Sequence, residues 1–283
     1  MTTPLRLSCL PNSYGRFGPL AALEHLPRVG VHALELPIKN AGVPSFFKET
    51  PLLTDASSPD EVQRVRQQVE EAGLELSSCN ISSGNPLDRM VLTRTLSKLE
   101  LVRQLGVRLV VAGGGEVTGS SDWPQLIANL RQLGDFAAER SIIYCCETHP
   151  GTCENSGRML ELLDAVDHPH VRINFDTGNI FYYNEQPDLL QELRAVMPFV
   201  RHVHLKDTNG RYKNWHFPAL GDGGAVDFAA VRQQLLAGGY LGPCSLEIEG
   251  IEGEPEPTLP QYEQRIAKSV QYLRDRCGWS ETE

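Results

Sequence analysis

Four residues able to bind a metal or move a proton, Glu147, Asp176, His204 and Glu247, each stand at the tail of a short apolar run. The runs read SIIYCCETHPG, VRINFDTGN, FVRHVHLKD and PCSLEIEG, and they recur at the spacing of successive strand-plus-helix units. A strand ends where its side chains meet solvent, so four such tails on neighbouring parallel strands would converge on one spot. Three carboxylates and one imidazole suit a single divalent cation, Mn²⁺, Mg²⁺, Co²⁺ or Zn²⁺. Residues two apart share a strand face, which pairs Glu147 with His149, Asp176 with Asn174, His204 with His202 and Lys206, and Glu247 with Glu249. Polar groups on an interior face are costly unless paired or ligated. A lone carboxylate at a strand end is more often a helix cap; the coincidence of four favours a metal site. Glu249 and Glu252 read as surface or loop charges.

The elements that must position these residues alternate along the whole chain. Strand-like runs occur at 5–10, 31–37, 74–80 and 107–113 ahead of the four already named. Helical patterns fill 58–72, 87–105, 121–140, 154–166, 187–197, 226–238 and 258–276. In the first of these, Ser58 and Pro59 make an N-terminal signal, and Val62, Val65 and Val69 form a core-facing stripe. Gly30, Gly73, Gly106 and Gly242 precede strands, as helix C-terminal caps do. Strict alternation implies parallel strands joined by right-handed crossovers. The expected fold is α/β, a (β/α)8 TIM barrel in one domain over 1–283. A doubly wound sheet fits less well, because no GxGxxG follows the first strand and GGGE at 113–116 lacks the lysine of a P-loop. Two long connections, about 38–55 with Phe46 and Phe47 and about 207–225 with Trp215, His216 and Phe217, read as lids or binding loops on the face where barrels keep their chemistry.

Composition narrows the partners. Acidic residues outnumber basic ones, 36 to 26, for a net charge of −10. That balance argues against nucleic acid, whose phosphates demand a basic face. Seven cysteines with no CxxC pair read as reduced, buried thiols. The N-terminal segment has no signal-peptide pattern, and no apolar run approaches a membrane span. The expectation is a soluble, cytoplasmic protein without a membrane partner, with assembly into a homo-oligomer left open.

ETHPG, DTGN, HVHLKD, LGDGGAVDF and SLEIEG together resemble the sugar-phosphate isomerase/epimerase family, the xylose isomerase-like barrels. That group includes ketose 3-epimerases, inosose dehydratase, hydroxypyruvate isomerase and, more distantly, endonuclease IV. The resemblance implies that Glu147, Asp176, His204 and Glu247 hold one divalent metal ion, with His202 supporting His204. It also implies that Glu147 and Glu247 act as acid and base on opposite faces of a sugar. Such chemistry removes a proton beside a carbonyl and needs an electrophile for the resulting enediolate. Returning the proton gives epimerisation, moving it gives isomerisation, and expelling a β-hydroxyl gives dehydration.

The chain departs from relatives at Asn179, where many carry histidine, and this favours one metal. It also departs at Cys153, Gly210 and Asn214, which weakens the likeness to a standard ketose 3-epimerase. Around the metal, His149, Lys206 and His216 are expected to bind hydroxyl or carbonyl oxygens. Trp215 and Phe47 would wall the sugar face. Glu35, read as the end of strand two, and Asn80 would bind hydroxyls. The expected activity is a metal-dependent sugar isomerase or epimerase acting on a small carbohydrate. A dehydratase of the same family is the nearest alternative, followed by a non-catalytic sugar-binding subunit and last by an abasic-site endonuclease.

Overall fold

The computed structural model describes residues 5–119 and 121–279; residues 1–4, 120 and 280–283 of the single domain expected over 1–283 lie outside the described residues. Eight strands form the barrel: β1 (Arg6–Cys9), β2 (Ala33–Lys39), β3 (Glu75–Asn80), β4 (Leu109–Gly113), β5 (Ile143–Glu147), β6 (Val171–Asp176), β7 (Val200–Leu205) and β8 (Pro243–Leu246), and a short ninth strand, Leu53–Thr54, pairs in parallel with the end of β2. Each barrel strand pairs in parallel with the next, and β8 pairs with β1, so the sheet closes as a (β/α)8 barrel.

The connections carry α1 (Gly18–His25), α2 (Pro59–Glu71), α3 (Arg89–Leu105), α4 (Asp122–Ala138), α5 (Ser156–Val166), α6 (Leu189–Val196), α7 (Phe228–Ala237) and α8 (Leu259–Cys277). Helix α2 starts as its sequence dictates, with Ser58 and Glu61 capping each other's backbone N–H groups and Pro59 in the first turn. Its valine stripe, Val62, Val65 and Val69, is buried against the barrel. Gly106 ends α3 in the left-handed conformation (φ +76°), which an L side chain rarely adopts. Gly242 is not such a cap: the left-handed residue after α7 is Gly239, and a Cβ at Gly242 would collide with the Arg201 carbonyl. All seven cysteines are buried and unbridged. Among the described residues, no helix is long and apolar enough to cross a membrane.

The barrel axis is polar. Ser8 Oγ of β1 meets Ser77 Oγ of β3 at 2.7 Å, and Ser78 Oγ meets His202 Nε2 of β7 at 3.0 Å. Ser245 of β8 reaches the same nitrogen at 3.3 Å, while His202 Nδ1 lies 2.9 Å from Asn174 Oδ1 of β6. Apart from the half-buried Ser77 this ladder is fully buried, and its members satisfy one another, as buried polar groups must.

Above it, the two long loops meet. Phe46, after β2, stacks at 5.7 Å on Trp215, after β7. A short antiparallel ribbon ties the second loop down, pairing His216 with Ile251 and Phe217 with Gly250. Within that loop, the Asp207 carboxylate accepts the backbone N–H groups of Thr208, Gly221 and Val226. The glycines of LGDGG serve this arrangement, since a Cβ at Gly224 would run into the Asp207 carboxylate.

Candidate active site

Strand geometry delivers the four tail residues to one point. One ligand atom each from Glu147, Asp176, His204 and Glu247 lies within 4.8 Å of all the others, and all four residues are buried. His204 is the hub. Its Nδ1 is 2.9 Å from Glu147 Oε1, 3.2 Å from Glu247 Oε2 and 3.8 Å from Asp176 Oδ2. Asp176 spends Oδ1 on the N–H groups of Gly178 and Asn179, both at 2.8 Å, which aims Oδ2 into the cluster.

These residues fit a divalent cation. Asp176 Oδ2 and Glu247 Oε2 are buried and accept no hydrogen bond within the protein, although the Lys206 ammonium lies nearby. Their charge is offset by Lys206 and His204, and each oxygen keeps a coordination position that a metal ion would fill. Three oxygens and one nitrogen form a hard-to-borderline donor set.

The other edge of His204 fixes its orientation. Nε2 lies 3.0 and 3.1 Å from the two oxygens of Glu35 on β2. With Nε2–H donated to Glu35, Nδ1 is the nitrogen that faces the cluster, and its lone pair would serve a cation once its proton leaves. Burial opposes charging this ring, but Glu35 and Glu247 overcome it and hold the imidazole pKa well above its ordinary value. His202 behaves oppositely. Burial pushes it down to about 4 against the pull of Glu35, so it stays neutral at physiological pH.

Lys206 is the cation among the acids. Its Nζ lies 2.8 Å from Glu249 Oε2, 3.0 Å from Glu247 Oε2 and 3.5 Å from Asp176 Oδ2, and it donates to Asn179 Oδ1 at 3.2 Å. The Phe217 ring packs 4.7 Å beneath it. Burial disfavours the Glu247 carboxylate, but Lys206 and His204 hold its pKa well below the usual range.

Above the cluster opens a cavity of about 300 Å³. Glu147, Glu247 and Lys206 form its floor. His149, Asn80 and Lys39 line its sides, and Phe46, Phe47, Tyr182, Trp215 and Phe217 its aromatic wall. Of the residues expected to meet substrate, His149, Lys206, Trp215, Phe47 and Asn80 border this space.

Glu35 and His216 do not. Strand β2 continues through Pro37 to Lys39, so Glu35 sits mid-strand, fully buried below the mouth, and Lys39 occupies the tail position. Pro37 reads as a strand terminator in sequence, yet here it pairs with Asn80 in the sheet. His216 alternates with Phe217 in the ribbon; Phe217 borders the cavity, and His216 is not among its lining residues. Glu249 is the converse case. Sequence placed it among loop charges, but its parity with Glu247 keeps it turned inward, where it pairs with Lys206. Burial, with Glu247 close by, lifts its pKa to about 7.

Comparison with known proteins follows the same lines. The chain is 24% identical over 249 residues to an inosose dehydratase of Bacillus thuringiensis (strain Al Hakam), covering 76% of this chain and 80% of that one. It is 30% identical over 173 residues to an inosose dehydratase of Geobacillus thermodenitrificans (strain NG80-2), covering 56% of this chain. The match spans about half, 55%, of that relative's length. In structure it resembles a D-psicose 3-epimerase crystallised in the presence of D-fructose, with a TM-score of 0.74 at 14% identity over 97% of this chain and 100% of that one, a likeness of fold. Residues 26–276 match the family model described as xylose isomerase-like TIM barrel, and the chain belongs to that family.

Proposed function

We propose that this protein is a divalent-metal-dependent enzyme that abstracts a proton beside the carbonyl of a small keto-sugar or keto-polyol. The observation carrying this reading is the four-residue cluster at the cavity floor, with two buried carboxylate oxygens left without hydrogen bonds. When bound, a divalent ion supplies an electrophile to the carbonyl oxygen. The residues do the rest. Glu147 and Glu247 both border the cavity, so one carboxylate removes the proton and the other returns one. Lys206, held as an ammonium by Asp176, Glu247 and Glu249 against its burial, faces negative charge developing on a substrate oxygen. Phe46, Phe47 and Trp215 cover the mouth and limit water.

Isomerisation or epimerisation follows when the proton returns to carbon. Dehydration is the second reading, and two observations favour it. The sequence relatives are inosose dehydratases, and Lys206 places an ammonium hydrogen-bond donor at the cavity floor, beside the carboxylates, where it can stabilise a departing hydroxyl oxygen.

The test has two arms. Elemental analysis of purified protein should find about one equivalent of a divalent metal. In D₂O, a panel of keto-sugars and inososes should show metal-dependent deuterium incorporation by NMR. An epimeric or isomeric product identifies the first outcome, and loss of one water the second. Absence of exchange across the panel with Mn²⁺, Mg²⁺, Co²⁺ and Zn²⁺ each supplied would overturn the proposal.

A further inference from the structure

The glycine-rich turn GGGE (113–116) has no part in the chemistry above, yet it walls a second cavity. This chamber, about 230 Å³, adjoins the first and shares Ser82, Glu147 and His149 with it. Glu147 therefore stands at the seam of two spaces, whereas Glu247 borders only the first.

The turn packs closely against the residues behind the chamber wall. A Cβ at Gly114 would strike Thr152 Oγ1 and Cys153 Sγ, and one at Gly115 (φ +90°) would strike Leu126. The glycines let the backbone lie flat against those neighbours. Thr152 pins the turn by donating its N–H and its hydroxyl to the Gly115 carbonyl, at 3.1 and 2.9 Å. Asn85 closes the far side, donating to the Glu116 carbonyl at 2.8 Å. The buried Lys98 Nζ holds the Ser82 side through the carbonyls of Ile81 and Ser82.

The chamber's chemistry selects its occupant. Its side-chain polar groups are Ser82, Asn85, Glu116, Glu147 and His149, with no lysine or arginine among its lining residues. Such a surface repels phosphate and carboxylate and matches hydroxyl groups, which both donate and accept. The first cavity alone lies at the lower end of the range of roughly 300–1,000 Å³ typical of ligand sites. Resting on the function proposed above, we infer that the chamber is a subsite for a second sugar ring. The substrate is then a glycosylated keto-sugar, its keto ring over Glu147 and Glu247 and its attached ring over the GGGE turn.

Gly113 provides the test. Gly113 lines the chamber, and a Cβ there meets nothing closer than the Gly84 carbonyl and the Gly115 nitrogen, at 3.8 and 3.9 Å, so a methyl group is accommodated at the chamber wall. Calorimetry on metal-loaded protein would compare D-fructose with turanose, lactulose and isomaltulose, three disaccharides that keep a ketose unit. At least one disaccharide should bind tenfold or more tighter than fructose. Gly113→Leu should erase that ratio, and Gly113→Ala, which keeps the test alive should leucine disturb folding, should reduce it. No advantage in the wild type, no binding of any probe, or an advantage that survives both substitutions would overturn the subsite. Deuterium exchange on the same sugars separates the two proposals. Exchange without an affinity advantage rejects the subsite alone, and an advantage without exchange rejects the enzymatic reading alone.

Discussion

Glu35 and His204 come from strands β2 and β7, three steps apart around the barrel, yet Glu35 Oε2 and His204 Nε2 lie 3.0 Å apart with both side chains fully buried. This contact fixes which imidazole nitrogen faces the acidic cluster. Partners of this kind commonly contribute about 10–100-fold in metal affinity. Glu35→Gln should therefore weaken Mn²⁺ or Zn²⁺ binding by about that factor, measured by competition with a chromogenic chelator. Unchanged affinity would reduce Glu35 to a packing residue.

Glu247 accepts no hydrogen bond at Oε2 and borders the cavity beside Lys206. Glu247→Gln keeps the shape and removes the charge. Solvent exchange into a keto-sugar substrate should fall by about 10²-fold or more, with circular dichroism unchanged. Exchange at the wild-type rate would take Glu247 out of the chemistry.

Lys206 neutralises a site that otherwise holds Asp176, Glu247 and Glu249 in close contact. Lys206→Met leaves three buried carboxylates without their cation, and breaking such a pair costs about 3–5 kcal/mol. The metal-free variant should melt well below the metal-free wild type. Added Mn²⁺ should raise its melting temperature more than it raises that of the wild type, because the ion replaces the missing charge. Equal metal-induced shifts in the two proteins would contradict this account.

Lys98 is buried in α3 with its Nζ donating to the carbonyls of Ile81 and Ser82. Burial pulls its pKa from 10.5 to about 7, against the attraction of Asp55. The fold thus favours the neutral amine, while the unfolded chain binds the proton up to 10.5. The associated stability is fully present above 10.5 and is lost as pH falls to about 7. Relative to Lys98→Met, the wild type should gain on the order of 4 kcal/mol between pH 7 and pH 10.5, read from urea unfolding at each pH. A flat difference would mean that the ammonium stays charged in the fold.

The sequence spelled out the repeating frame because each unit carries its own signals. Ser58, Pro59 and the valines of α2 announce a helix that needs no distant partner to be recognised. Helix α1 lacks such signals. Gly15, Gly18 and Pro19 interrupt its run, and a 3₁₀ turn on either side completes it. The four strand-tail residues were visible because strand ends coincide with the barrel mouth. Glu35 was misplaced by two pairs of residues, since Pro37 hides the continuation of β2. His216 and Glu249 turn on details of loop backbone, an antiparallel ribbon and the path of the chain beyond the end of β8, that local composition does not encode.

The polar ladder along the barrel axis has a consequence for assembly. Ser8, Glu35, Ser78, Asn174, His202 and Ser245 come from six different strands and are all fully buried. Slipping any of these strands by one residue would turn its polar group outward into the helix layer and strand its neighbours. Closure and site formation are thus a single event that proofreads itself: a barrel zipped in the wrong frame is penalised at its centre, where the same side chains underpin His204.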